Sequence, residues 1–234
     1  MKYRSIMFDL DGTLLPLDQN VFIAKYFELM SLWMSRYGYD REGIVKATWQ
    51  GTAKMIMNDG SFTNEKVFWD NMISIYGKAV LDDLPYFDAF YRQKFDEVKE
   101  VVGYSERSAE LINKLKNEGV KIILATNPVF PRIATEKRIA WAGLLPEDFD
   151  LITTYENSYH SKPNIEYYKD IIKQTDISPE TCLMVGNDVD EDMIAAELGI
   201  DVFLLTDSLL NKSGKDISVY NRGSMNDLFK FLNI

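Results

Sequence analysis

At 234 residues, 46% of them hydrophobic and 26% charged, the chain has the composition of a folded globular protein and not that of a disordered or fibrous one. A formal net charge of -10, from 26 Lys and Arg against 36 Asp and Glu, argues against a nucleic-acid binder, whose affinity for phosphate backbones comes from clustered Lys and Arg. It does not exclude a small phosphorylated ligand, because a few local donors or one metal ion can invert the field inside a single cleft.

In chain order, Met1-Lys2-Tyr3-Arg4 is followed by only four residues before Asp9, so no signal-peptide apolar region develops. No later stretch approaches a membrane span, and a cytoplasmic protein without a membrane partner is expected. The single cysteine, Cys182, cannot form an intrachain disulfide, fits a reducing compartment, and reads as inert strand packing. The apolar run Ser5–Phe8 predicts a first strand. From about Leu17 to Val101 no strand is convincing, and Phe22, Tyr26, Leu29, Met30, Trp33 and Met34 recur at helical spacing. This predicts a helical subdomain over 17–101, inserted into a core formed by 1–16 and 102–234. Trp49, Met55, Met57, Phe68, Trp69 and Met72 read as its packing residues.

Between Glu106 and Glu118, Ala109, Leu111, Ile112 and Leu115 form a helical stripe, with Gly119 at the expected C-terminal cap. A strand at Val120–Ala125 follows, then a helix over Pro131–Ala142, a strand at Leu151–Thr154 and a helix over Asn164–Lys173. The pattern ends with a strand at Thr181–Val185, a helix over Asp190–Leu198 and a strand at Val202–Leu205. Such alternation predicts an α/β fold, a Rossmann-like doubly wound parallel sheet with helices on both faces.

Ligands of such sheets bind beyond the carboxyl ends of the strands, and each polar motif falls there. Asp9, Asp11, Gly12 and Thr13 follow the first strand; Thr126, Asn127 and Pro128 follow the second; Lys162 lies beyond the third, and Gly186 through Asp192 follow the fourth. On an extended chain Asp9 and Asp11 face the same side, and two repelling carboxylates are tolerated when a cation lies between them or one keeps a proton. The acidic cluster Asp188, Asp190 and Asp192 adds hard oxygen donors of the kind that suit Mg2+. Lys162 supplies positive charge, and Thr126 with neighbouring backbone N–H groups supplies neutral donors. Together these describe a pocket for a phosphoryl group. Asp190 and Glu191 also read simply as the solvated start of a helix. His160, the only histidine, has no partner histidine for a metal site or triad.

In their order and positions, "DLDGT", the Thr after strand two, the Lys-Pro after strand three and the acidic "GND…D" loop after strand four resemble the haloacid dehalogenase-like superfamily. The insertion after the first motif resembles that family's C1-type helical cap. The resemblance implies that Asp9 is the nucleophile and that Asp11 is first general acid and then base. It also implies that Thr126 and Asn127 bind phosphate, and that Lys162 holds the nucleophile and neutralises the transferring group. Mg2+ would be held by the Asp9 side chain, the Asp11 backbone carbonyl and Asp188. The family motif commonly reads Gly-Asp where this chain has Gly186-Asn187, so Asn187 or Asp192 are alternative contributors. An aspartate at position 11, absent from the true dehalogenases, favours phosphate over carbon–halogen chemistry. The implied function is hydrolysis of a small phosphorylated metabolite by a monomer or homodimer. A phosphomutase or phosphonatase on the same core, or a non-catalytic phosphate-binding protein, are the alternatives.

Overall fold

The computed structural model describes residues 2–234, which form six strands and eight α-helices joined by turns and short 3-10 segments. The strands are β1 (Ser5–Phe8), β2 (Lys121–Leu124), β3 (Leu151–Ile152), β4 (Cys182–Gly186), β5 (Asp201–Leu205) and β6 (Asn221–Gly223). They lie in the order β3-β2-β1-β4-β5-β6, and every neighbouring pair is parallel. The chain thus builds one half outward from β1, returns to β1's other side at β4 and builds the second half. This puts the topological switch between β1 and β4, where a cleft opens beyond the strand ends.

Strand alternation divides the core between two faces. Ile6 and Phe8 of β1 join one buried cluster with Ile122, Leu124, Leu183 and Val185, while Met7 joins the other with Ile123, Met184 and Leu204. Both faces are apolar because helices cover both, which is why these strands read as continuous hydrophobic runs. Cys182 is fully buried in β4, as its strand position predicts, and burial pushes its thiol up to about 11.

Four helices fall in the segment that follows β1: α1 (Gln19–Met34), α2 (Arg41–Ile56), α3 (Asn64–Tyr76) and α4 (Leu84–Gln93). Asp18, Asp40 and Thr63 cap the first three through side-chain acceptors, which sets where each begins. The predicted stripe of α1 is buried from Phe22 to Met34 and continues the cluster on one sheet face. An antiparallel bridge between Leu17 and Val102, with the Gly103 N–H donating to the Pro16 carbonyl at 2.6 Å, ties the ends of this helical segment together. Beyond it run α5 (Glu106–Asn117), α6 (Arg132–Trp141), α7 (Ile165–Thr175) and α8 (Met225–Leu232).

Three expectations need correction. The predicted helix over 190–198 is a series of turns followed by a 3-10 segment at Met193–Leu198. Its acids are engaged elsewhere: Asp188 accepts from the N–H groups of Asp190 and Glu191, and Asp192 turns inward. Met55 and Met72 are buried, but Trp49 and Met57 are 47% and 68% exposed. Trp49 lies against Phe27, ring centroids 5.1 Å apart, and Met57 falls in the turn that ends α2. Last, β6 and α8 extend the fold past the last predicted strand. Among the described residues no helix is long and apolar enough to cross a membrane.

Candidate active site

At the end of β1 the backbone is stitched to both neighbours: the Asp9 N–H donates to the Val185 carbonyl at 2.9 Å, and the Ala125 N–H donates to the Phe8 carbonyl at 2.7 Å. The strand end is therefore rigid, and Asp9, 8% exposed, follows it directly at the switch point. The chain then turns sharply at Gly12, whose φ of +87° belongs to the left-handed region and whose Cβ would lie 2.4 Å from Asn187 Nδ2. Thr13 Oγ1 donates to Asn187 Oδ1 at 3.0 Å, latching the first motif to the loop after β4.

Lys162 is fully buried, and its Nζ donates to Asp9 Oδ1 at 3.0 Å and to Asp192 Oδ1 at 2.6 Å. Burial disfavours the ammonium, but Asp192 and Asp9 outweigh it and hold Lys162 charged well above the ordinary lysine range. Two buried acids share one cation. Burial accordingly pushes Asp192 up, to about 7, against the pull of Lys162. The other Asp192 oxygen accepts from the Asp188 N–H at 3.0 Å and occupies the space where a Cβ on Gly186 would stand, 2.0 Å away. A glycine at 186 is thus what lets Asp192 reach inward.

Thr126 ends β2 nearly buried. Its carbonyl accepts from Thr153 Oγ1 at 2.7 Å and from the Tyr167 hydroxyl at 2.9 Å, while its own hydroxyl donates to no other side chain among the described residues. Asn127 Nδ2 donates to Glu191 Oε2 at 3.0 Å, and Asn127 Oδ1 is buried without a partner among the described residues. Asp11 accepts through Oδ2 from the Arg138 guanidinium, and its Oδ1 is likewise buried without a partner among the described residues. Burial raises the Asp11 carboxyl above the usual range; Arg138 opposes this and Asp9 adds to it.

Asp9, Asp192 and Lys162 therefore meet directly, Asp11 and Asn127 border the same cleft, and Asn187 acts as a latch. The other motif acid, Asp190, points away and pairs with Lys215 at 2.9 Å. His160 is also elsewhere, with Nδ1 2.7 Å from Asp170 Oδ2. Four site residues escaped the sequence reading. Glu191 turns into the cleft instead of solvent, and burial pushes it up to about 7, with Lys162 opposing. Tyr167 and Tyr168, adjacent on α7, brace the Thr126 and Glu191 carbonyls. Arg138 reaches Asp11 from α6. For the tyrosines the sole sequence signal is their helical spacing; for Glu191 it is the density of acids in one loop.

Among the described residues no three carboxylate, imidazole or thiolate side chains gather closely enough to form a metal centre by themselves. A centre made from two carboxylates and a backbone carbonyl does not require that. The donor chemistry fits a hard cation: Asp188 Oδ1 accepts from the N–H groups of Asp190 and Glu191 at 2.8 and 3.0 Å, which orients its carboxylate and leaves Oδ2 uncommitted.

The cleft widens into a cavity of about 910 Å³ between the sheet ends and α1 to α4. Aromatic rings dominate its wall, among them Tyr26, Phe27, Phe68, Trp69, Phe130 and Tyr155, while Asp11, Asn127 and Glu191 stand on the core side.

A doubly wound parallel sheet with a carboxylate–lysine–carboxylate cluster at its switch point defines an enzyme that acts on a small ligand beyond the strand ends. A family model described as a haloacid dehalogenase-like hydrolase matches residues 3–199, and the chain belongs to that family. It is a hydrolase. The chain is 24% identical over 187 residues to the pyrophosphatase PpaX of Bacillus mycoides, covering 80% of this chain and 76% of that one. Among solved structures it resembles the HAD-hydrolase YfnB of Bacillus subtilis bound to magnesium, at 21% identity, TM-score 0.59 and full coverage of both chains. It also resembles a HAD phosphatase from Thermococcus onnurineus, at 15% identity and TM-score 0.59, covering 98% of this chain and 97% of that one. These structural likenesses establish the fold, and the family model establishes the family.

Proposed function

We propose that the protein is a Mg2+-dependent phosphomonoester hydrolase acting on a small cytoplasmic metabolite through an aspartyl phosphate. The observation that carries this reading is the buried Lys162, 3.0 Å from Asp9 and 2.6 Å from Asp192, at the switch point of the sheet. A carboxylate held there by an ammonium is fixed as a nucleophile, and the same ammonium can neutralise an arriving phosphoryl group.

Asp9 attacks phosphorus, the bond to the leaving oxygen breaks, and Asp11 gives that oxygen its proton. A water then passes a proton to Asp11 and attacks phosphorus, releasing phosphate and restoring Asp9. Thr126 and Asn127 bind the non-bridging oxygens. Mg2+ held by the Asp9 carboxylate, the Asp11 carbonyl and Asp188 would supply the remaining charge neutralisation. Asp188 is preferred over its neighbours because Asp192 is committed to Lys162 and Asn187 Oδ1 already accepts from Thr13.

Residues 17–101 act as the cap, and the aromatic cavity beneath them takes the body of the substrate. Its acidic residues Glu65, Glu156 and Glu191 disfavour a second phosphate there; of its cations, Arg92 and Arg132 are paired with Asp88 and Glu136, each at 2.6 Å, while Lys212 makes no ion pair among the described residues. A phosphomonoester with an apolar or aromatic body fits this wall better than inorganic pyrophosphate does, so the PpaX activity is not carried over.

The test is phosphate release from p-nitrophenyl phosphate with Mg2+, with EDTA, and with Asp9→Asn. Metal-dependent turnover that the variant lacks is expected, and a panel of metabolite phosphates then ranks substrates. Equal release by wild type and Asp9→Asn would overturn the reading.

A further inference from the structure

Arg138 is 1% exposed, and the reaction outlined above leaves it without a role. A guanidinium is rarely buried so deeply without a demanding partner. On its own helix, Nε donates to the Ala134 carbonyl at 3.4 Å and Nη2 donates to Thr135 Oγ1 at 3.2 Å. The guanidinium carbon lies 4.5 Å from the centroid of the Phe130 ring. The group is therefore held by two hydrogen bonds and an aromatic face before it reaches Asp11, and only Nη1 extends to the Asp11 Oδ2 atom. Phe130 is itself fixed by the helical segment, with ring centroids 5.3 Å from Tyr26 and 6.1 Å from Phe22. Asp11 has no comparable set of restraints: its second oxygen is buried without a partner among the described residues, and the residue borders the cavity.

We infer that Arg138 is a positioning residue for proton transfer: it grips Asp11 by one oxygen and so presents the other to the leaving group and to water. Lysine would keep the charge but not the planar fork that both binds Asp11 and stays tied to Thr135. The inference rests on the reading of Asp11 as the acid and base.

The experiment compares Arg138→Met, Arg138→Lys, Asp11→Asn and the double variant Asp11→Asn/Arg138→Met on aryl phosphates that span good to poor leaving groups. Arg138→Met is expected to lower kcat about 10–100-fold on poor leaving groups, less on p-nitrophenyl phosphate, with KM moved less than about threefold. Arg138→Lys should recover part of the loss and stands in if the Met variant does not fold. In the Asp11→Asn background the Arg138→Met change should cost less than about twofold, because a residue acting through Asp11 has nothing left to position. Equal losses in both backgrounds would overturn the inference, as a purely structural role is additive. Crystal structures of wild type and Arg138→Met add a readout independent of turnover. The Asp11 carboxylate should leave its place in the variant, and an unmoved carboxylate overturns the inference. If the wild type hydrolyses none of the esters, the phosphatase reading fails, and the crystallographic comparison alone decides the role of Arg138.

Discussion

Replacing Lys162 by Met removes the only ammonium among the described residues in direct contact with Asp9 and Asp192, and Met fills similar space without charge. Breaking a buried ion pair by deleting one partner costs about 3–5 kcal/mol, because the charge left behind has neither water nor a counter-ion. For a chain of this length about 2–4 °C accompanies each kcal/mol, so a fall in Tm of about 6–20 °C is expected at pH 8. The assay is thermal unfolding followed by circular dichroism, in EDTA so that no cation substitutes for the lysine. The deficit should depend on pH with a definite sign. Asp192 stands at about 7 even beside the ammonium, well above its unfolded value, so the folded state holds a proton that the unfolded chain has released. Stability therefore falls as pH rises from about 4, the unfolded carboxyl value, to the folded one. Without the ammonium the folded value rises further, so the variant's deficit narrows towards pH 5 and grows as pH rises past the wild-type value of about 7. A loss below about 1 kcal/mol at pH 8, the range of an exposed pair, or a gap that widens on acidification, would refute this reasoning.

Gly186→Ala puts a methyl 2.0 Å from Asp192 Oδ2, and the displaced carboxylate gives up its bond to Lys162; calorimetry should show a loss of about 1–3 kcal/mol. Thr126→Val keeps the shape of the side chain but removes the hydroxyl proposed to bind phosphate; kcat/KM should fall about 10–100-fold with Tm nearly unchanged. Mg2+ should raise the Tm of EDTA-treated wild type in proportion to the logarithm of its concentration, and Asp188→Asn should blunt that rise more than Asp190→Asn, whose carboxylate pairs with Lys215. Phe68→Ala and Trp69→Ala should shift the ranking of substrates with large apolar bodies while changing p-nitrophenyl phosphate turnover much less, since both rings line the cavity wall.

Most of the sheet was legible because strands buried on both faces are written as unbroken apolar runs. Predicted β1 coincides with the observed Ser5–Phe8, and the other four predicted strands lie within two residues of the observed limits. The strand-end motifs were legible for the same reason, since a polar residue straight after such a run has one place to go. β6 was not: Asn221-Arg222-Gly223 is short, polar and at the sheet edge, where neither face demands hydrophobic residues. Arg138 was hidden because an arginine in an amphipathic helix reads as solvated surface, and its partner Asp11 is 127 residues away in sequence. Glu191 and Trp49 failed in opposite directions. One is a charge drawn inward by Asn127, the other an indole left at the rim of a cavity, and both outcomes depend on contacts that local periodicity does not encode.

Nucleophilic attack of Asp9 on phosphorus is open to chemical trapping. Its most direct test is to quench the enzyme during turnover of a phosphomonoester, reduce it with borohydride and sequence the peptides by mass spectrometry. An aspartyl phosphate at position 9 is reduced to homoserine, so the account predicts homoserine at that position, only when substrate and Mg2+ are both present. Sustained phosphate release with Asp9 recovered intact in every sample would contradict it.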